Sequence, residues 1–138
     1  MLPVENRVFL DTNVLVAAIK DEDFFKEKAT MLLESLEMGK ARGFCSVVSL
    51  SECAFVLKKI GRQKEIPTVI RSLLALEGLE FLPLTSETFS RAASLMDAHR
   101  LTLSDALIIS TMVDNGFQEI ISGDEYFDKI KFITRKPL

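Results

Sequence analysis

Four acidic side chains in this 138-residue sequence stand where an apolar run stops or a helix-like pattern begins. Asp11 follows Val8-Phe9-Leu10, and Asp124 follows Ile120-Ile121-Ser122-Gly123. Glu52 precedes Cys53-Ala54-Phe55-Val56-Leu57, and Asp105 precedes Ala106-Leu107-Ile108-Ile109. Carboxylates in that number are the donors a hard divalent cation takes. Mg²⁺ keeps several waters in a near-octahedral shell, so a few carboxylates anchor it without enclosing it. Four ionised carboxylates brought together would repel, and at least one would hold its proton to higher pH. A bound cation relieves that repulsion and leaves positions open for a phosphate oxygen and for a water activated for in-line attack.

Other chemistries lack residues. There is one histidine, His99, and there are two cysteines, Cys45 and Cys53, with no Cys-x-x-Cys pair. A zinc site, a disulfide scaffold and His-dependent nucleophilic catalysis are all poorly served. The cysteines read as buried reduced thiols, and His99 as a cation near a helix end. The formal net charge is -3 and the sequence pI about 5.2. That balance argues against tight passive binding of nucleic acid. It leaves room for an enzyme that holds RNA briefly, with cations reversing the local sign of an acidic cleft.

Each acid also has a structural explanation. Ser49-Leu50-Ser51-Glu52 and Thr102-Leu103-Ser104-Asp105 both have the form of a capping box. Asp11 or Asn13 could cap the following helix, and Ser122-Gly123-Asp124 could be a turn. Ser104 reads as an N-cap rather than a catalytic group. Taken singly, the structural reading is the better one at each position. Capping does not explain why an acid follows the apolar strand at both Asp11 and Asp124, so jointly a site is expected.

The elements that must position these acids alternate along the chain. Arg7–Asp11 reads as a buried strand and Val14–Ile19 as the start of a helix. Asp21-Glu22-Asp23 opens a second helix, with Phe24, Ala29, Leu32, Leu33 and Leu36 near helical spacing, until Gly39 and Gly43 stop it. A short apolar stretch, Gly43–Ser46, precedes helices at Ser49–Ile60 and Ile66–Leu76, the latter with Pro67 in its first turn. Leu79–Pro83 is a strand. Ser86–Arg100 is a helix with Phe89, Ala92, Ala93 and Met96 on one face. Ser104–Asn115 is a helix ended by Asn115-Gly116. Gln118–Ser122 and Lys131–Thr134 are the last strands, and the Arg135-Lys136-Pro137-Leu138 tail reads as loose. Strands separated by helices demand a parallel sheet covered on both faces. The expected fold is α/β, a three-layer α/β/α sandwich formed by one domain over 1–138. In such sheets ligands gather at the carboxyl ends of the strands, and two strand ends and two helix starts bring all four acids to that edge. With 48% hydrophobic residues the chain can bury a core. No run is long enough to span a bilayer, and Met1–Arg7 lacks the pattern of a signal peptide, so a cytoplasmic protein is expected.

These motifs resemble those of the PIN-domain family over essentially the whole chain. Phe9-Leu10-Asp11-Thr12-Asn13 is similar to its opening motif, and Ser51-Glu52 followed by an apolar helix to its second. Leu103-Ser104-Asp105-Ala106-Leu107 is similar to its third, and Ser122-Gly123-Asp124-Glu125-Tyr126-Phe127 to its fourth. The ordered set is specific where each motif alone is weak. The resemblance implies a five-stranded parallel sheet, Mg²⁺- or Mn²⁺-dependent cleavage of single-stranded RNA, and frequent homodimers. It makes Asp11, Glu52, Asp105 and Asp124 metal ligands, directly or through water. Thr12 would orient Asp11 or a ligated water, and Asn13 would brace the loop. Asp128, four residues past Asp124, is either a fifth acid of the site or a solvated charge. Compact members resemble the VapC-type toxin ribonucleases, which implies a small antitoxin protein as partner; other members act in RNA processing without one.

Two rivals remain. A non-catalytic PIN fold that binds RNA or protein would show the loss of one acid, and none is lost. An aspartyl-phosphate phosphotransferase would want Asp-x-Asp-x-Thr where this chain has Asp11-Thr12-Asn13-Val14, or a lysine after a late strand, which Ser122-Gly123-Asp124 does not offer. The basic groups Lys58, Lys59, Arg62, Lys64 and Lys129, Lys131, Arg135, Lys136 could contact an RNA backbone, and read better as solvated surface.

Overall fold

The computed structural model describes residues 6–138, so the reading of Met1–Glu5 lies outside the described residues. The elements alternate as expected: β1 (Arg7–Phe9), α1 (Thr12–Ile19), α2 (Lys26–Glu37), β2 (Arg42–Ser46), α3 (Val48–Lys59), α4 (Ile66–Ala75), β3 (Leu79–Leu82), α5 (Ser86–His99), α6 (Leu103–Asp114), β4 (Glu119–Ile121) and β5 (Thr134–Lys136). Two short 3-10 segments, Gln63–Glu65 and Glu125–Lys129, precede α4 and β5. Among the described residues no helix is long and apolar enough to cross a membrane.

All the strand pairings are parallel, but the strands do not form one continuous five-stranded sheet. β1, β2 and β3 make one ladder in that order, and β4 pairs with β5 in a second. A single bridge between Leu10 and Ile121 joins the two. β1 has three residues, and Phe117 packs against it and β2. The Phe117 ring lies 5.4 Å from that of Phe9 and 5.3 Å from that of Phe44, with the Arg7 guanidinium over it at 4.8 Å. A cavity of about 330 Å³ is lined by Arg7, Phe9, Phe117 and Gln118. β1 and β4 lie side by side, and among the described residues their backbones are joined by the Leu10–Ile121 bridge and the Asp11 N–H to Ile121 carbonyl bond.

The three layers are visible in how side chains alternate along the strands. Phe9, Phe44, Leu82 and Ile120 enter a core shared with α5 and α6. Their neighbours Leu10, Cys45, Phe81 and Ile121 enter a second core shared with α1, α2, α3 and α4. That period of two is what a strand covered on both faces requires. Residues 106–112 of α6 are all buried, as expected of a helix enclosed on several sides.

Several sequence expectations need correction. The second helix starts at Lys26, not at Asp21, because Asp23 turns its Oδ1 onto the Phe25 N–H at 2.9 Å; Phe24 is 92% exposed and takes no part in a buried face. Gly43 is inside β2 rather than a helix stop. On α5, Phe89 and Ala93 are exposed and only Ala92 and Thr88 are buried. The last strand is Thr134–Lys136 instead of Lys131–Thr134, so half of the supposed loose tail is sheet. Arg135 and Lys136 are held there by Asp128 and Glu119 respectively, at 2.9 and 3.0 Å.

The C-terminal end of α2 is docked through glycines. Gly78 adopts φ +81, and a Cβ there would meet the Leu36 carbonyl oxygen at 2.3 Å; Gly43 has the Leu36 side chain in the same relation at 2.5 Å. Gly116 shares the left-handed φ, at +80, but faces open space. Gly116→Ala should therefore cost about 1–2 kcal/mol from backbone strain alone, and Gly78→Ala clearly more, since the backbone of α2 must also retreat. Urea melts of the two variants measure the difference; equal losses would show that the Leu36 approach does not limit the packing.

Candidate active site

Asp11 is the anchor. It leaves β1 with its backbone N–H donating to the Ile121 carbonyl at 3.0 Å, just past the one bridge between the two ladders. It then caps α1 in extended conformation, its Oδ1 accepting from the Thr12 N–H at 2.8 Å. Its Oδ2 accepts from the Ser122 hydroxyl at 2.9 Å. Ser122 is completely buried and also accepts, from Asn13 Nδ2 at 3.0 Å and from the Asp124 N–H at 2.9 Å. One serine oxygen thus ties the loop after β1 to the loop after β4. Asn13 spans from α1 to Ser122, and its Oδ1 is buried with no hydrogen-bond partner.

Glu52 comes from α3, but not through a capping box. Val47 is the N-cap residue of α3 and makes no side-chain cap bond, while Ser49 lies inside the first turn. The Ser49 hydroxyl meets the Thr12 hydroxyl at 2.7 Å, and Thr12 in turn donates to Glu52 Oε1 at 2.5 Å. Thr12 therefore orients Glu52, whereas Asp11 is oriented by the Thr12 backbone. Asp105 sits in the first turn of α6, where Thr102 is the cap, accepting from the Asp105 N–H at 3.2 Å. Ser104 is not the N-cap residue. Asp124 caps the segment Glu125–Lys129 through the Tyr126 N–H at 2.9 Å.

The electrostatics link the four acids in a chain. Burial pushes Asp11 from 3.8 up to about 7 against the hydrogen bonds from Ser122 and Thr12, and the charges of Glu52 and Asp105 add to the rise. Glu52 is raised by burial and by Asp105, with the Thr12 bond opposing. Asp105 is raised by burial and by Asp124, with Thr102 opposing. The one positive charge near the cluster among the described residues that these shifts record is Arg135, which acts on Asp124 and is paired with Asp128. The cluster is not a closed cage, however: among the described residues no group of three or more His, Cys, Asp or Glu is arranged to hold a metal ion. Donors placed this way suit an ion that keeps several of its waters and reaches some carboxylates through them.

Asp128 does not join the four. It forms a two-pronged pair with Arg135 at 2.9 and 3.0 Å, which holds its carboxyl below the usual range. Arg135 Nη1 also donates to the Ser122 carbonyl at 3.1 Å. Ser122, Ser49 and Arg135 are thus site-building residues that sequence reasoning passed over. The serine of Ser122-Gly123-Asp124 was the available signal; nothing local marks Ser49 or Arg135. Arg62 in the other basic group is spent on Glu65 and the Ile19 carbonyl. Cys45 and Cys53 are free and buried, and burial pushes both thiols up, Cys53 to about 12.

The raised carboxyl values fix the sign of a pH dependence. A folded state that keeps a proton the unfolded state has lost is destabilised as pH rises. Stability in EDTA should therefore fall between pH 4 and about 7 as Asp11 ionises, by at most about 4 kcal/mol for Asp11 alone. Calorimetric melts in EDTA at pH 5 and pH 8 should show the higher Tm at pH 5. Asp11→Asn should flatten that difference, although its amide would face a Ser122 oxygen that already accepts two N–H groups. A Tm that rises from pH 5 to pH 8 would contradict the burial of an ionisable Asp11.

Comparison with known proteins places this geometry. The PIN domain family profile matches residues 8–133. Ribonuclease VapC2 of Methanocaldococcus jannaschii is 27% identical over 141 residues, covering 94% of this chain and 92% of that protein. Among solved structures, VapBC2 from Rickettsia felis, bound to a DNA fragment from its promoter, superposes with a TM-score of 0.69 at 18% identity, covering 95% and 98% of the two chains. A toxin-antitoxin complex from Klebsiella pneumoniae superposes with a TM-score of 0.65 at 20% identity, covering 92% and 95%. With all four acid motifs inside the matched span, and strands and helices aligned over most of each chain, this chain belongs to the PIN domain family.

Proposed function

We propose that this protein is a metal-dependent endoribonuclease that cleaves single-stranded RNA, acting as the toxin of a toxin–antitoxin pair. The observation that carries the reading is the set of raised carboxyls Asp11, Glu52 and Asp105, each pushed up first by burial and further by a neighbouring acid, Asp124 acting on Asp105. Burying carboxylates beside one another is a standing cost in the fold, and a divalent cation relieves it. Asp11, Glu52, Asp105 and Asp124 would hold Mg²⁺ or Mn²⁺ directly or through water. When bound, the ion supplies an activated water and stabilises charge on the leaving oxygen. The protein's own work is positional. Thr12 fixes Glu52, Ser122 fixes Asp11 and the Asp124 backbone together, and Asn13 holds Ser122 in place. Asp128 serves by pinning Arg135 rather than as a fifth ligand.

The likeness to ribonuclease VapC2 supports the reaction class, and the likeness to a toxin-antitoxin complex supports a small antitoxin protein as partner. A homodimer and a cytoplasmic location accompany the same reading. The non-catalytic alternative has no specific observation in its favour, because each acid and its supporting hydroxyl is in place.

The test is incubation of single-stranded RNA with the protein and Mg²⁺ or Mn²⁺, beside an EDTA control and an Asp11→Asn variant. Only the metal-loaded wild type should cut. Loss of the anchoring acid should exceed the ~100-fold that outer supporting residues can cost. Equal cutting by Asp11→Asn would remove Asp11 from the mechanism. Metal binding without cutting of any RNA would favour the non-catalytic module.

A further inference from the structure

The buried hydroxyl of Ser49 carries a role beyond that reading, and it rests on the same metal site. Ser49 is completely buried in the first turn of α3, where an alanine would satisfy helix propensity and packing without a polar group. Its Oγ lies 2.7 Å from Thr12 Oγ1, and Thr12 Oγ1 lies 2.5 Å from Glu52 Oε1. A hydroxyl has one proton and two lone pairs, and an ionised carboxylate only accepts. The Thr12 proton is therefore committed to Glu52, and Ser49 must be the donor to Thr12. The chain runs one way: Ser49 to Thr12 to Glu52.

A donor standing behind a donor strengthens it. Ser49 and Glu52 also lie three residues apart on one helix, so they share a face and grip the first residue of α1 between them. That residue is bonded through its backbone to Asp11. The relay thus holds Glu52 in register with Asp11 across two helices. We propose that Ser49 is a positioning residue of the carboxylate site, acting on Glu52 only through the Thr12 hydroxyl.

Isothermal titration of the full chain with Mn²⁺ alone, on wild type, Ser49→Ala, Thr12→Val and the double variant, tests this. Ser49→Ala should weaken Mn²⁺ binding about tenfold, the lower end of what outer supporting residues cost, and Thr12→Val at least as much. In the Thr12→Val background Ser49→Ala should change binding by less than about twofold, because its only route to Glu52 is already cut. Ser49→Cys, which keeps a weak S–H donor, should fall between wild type and Ser49→Ala. A packing role would instead cost the same in both backgrounds, and that result overturns the proposal, as does wild-type affinity in Ser49→Ala. Failure of the wild type to take up Mn²⁺ is a different result: it overturns the metal reading itself, and the assignment of Ser49 with it.

Discussion

The site depends on one seam. β1 and β4 lie side by side and are joined by the Leu10–Ile121 bridge and the Asp11 N–H to Ile121 carbonyl bond. A sheet with a full ladder there would hold Asp11 redundantly. Here one bridge pairs the carboxyl ends of the two strands, and Ser122 welds it by bonding Asp11, Asn13 and the Asp124 backbone. Both strand-end acids thus owe their relative position to one buried oxygen. Glu52 on α3 hangs on the same point, since Thr12 follows Asp11 and carries it.

The site is costly to the fold that holds it. Burying Asp11 among other carboxylates works against folding at neutral pH, and the two cores on either side must offset that. Their alternation along every strand supplies the rigidity: Phe9 and Leu10 are locked in opposite layers, so the next residue has little freedom to turn away from its neighbours. Stability spent on a strained electrostatic centre is a common mark of sites kept for function.

Most of this was legible from apolar periodicity. The strand–helix alternation, the two faces of the strands and the positions of the four acids follow from local patterns, because buried strands and amphipathic helices each impose their own repeat. What was not legible was set by tertiary contact. Ser49-Leu50-Ser51-Glu52 looks like a capping box, yet α3 starts one residue before Ser49 and Thr12 takes both side chains. Asp128 has the spacing of a ligand, yet Arg135 claims it. The break in the sheet was hidden for the same reason: nothing in Arg7–Leu10 announces that β1 will pair with β4 through one bridge.

The bonds that build the centre span almost the entire chain. Ser122 reaches Asp11 across 111 residues and Asn13 across 109, and its carbonyl is held from β5 by Arg135. Closing loops of that length must wait until local structure has formed. During synthesis the first motif is made more than a hundred residues before its partner serine exists. Helices α1 to α4 can condense on β1 and β2 in the meantime and bring Glu52 to Thr12, but Asp124 has no tie to Asp11 until Ser122 is made. A chain cut before Ser122 consequently lacks the one hydroxyl that joins Asp11 to Asn13 and to the Asp124 backbone, so the first motif is made long before the group that fixes it in place.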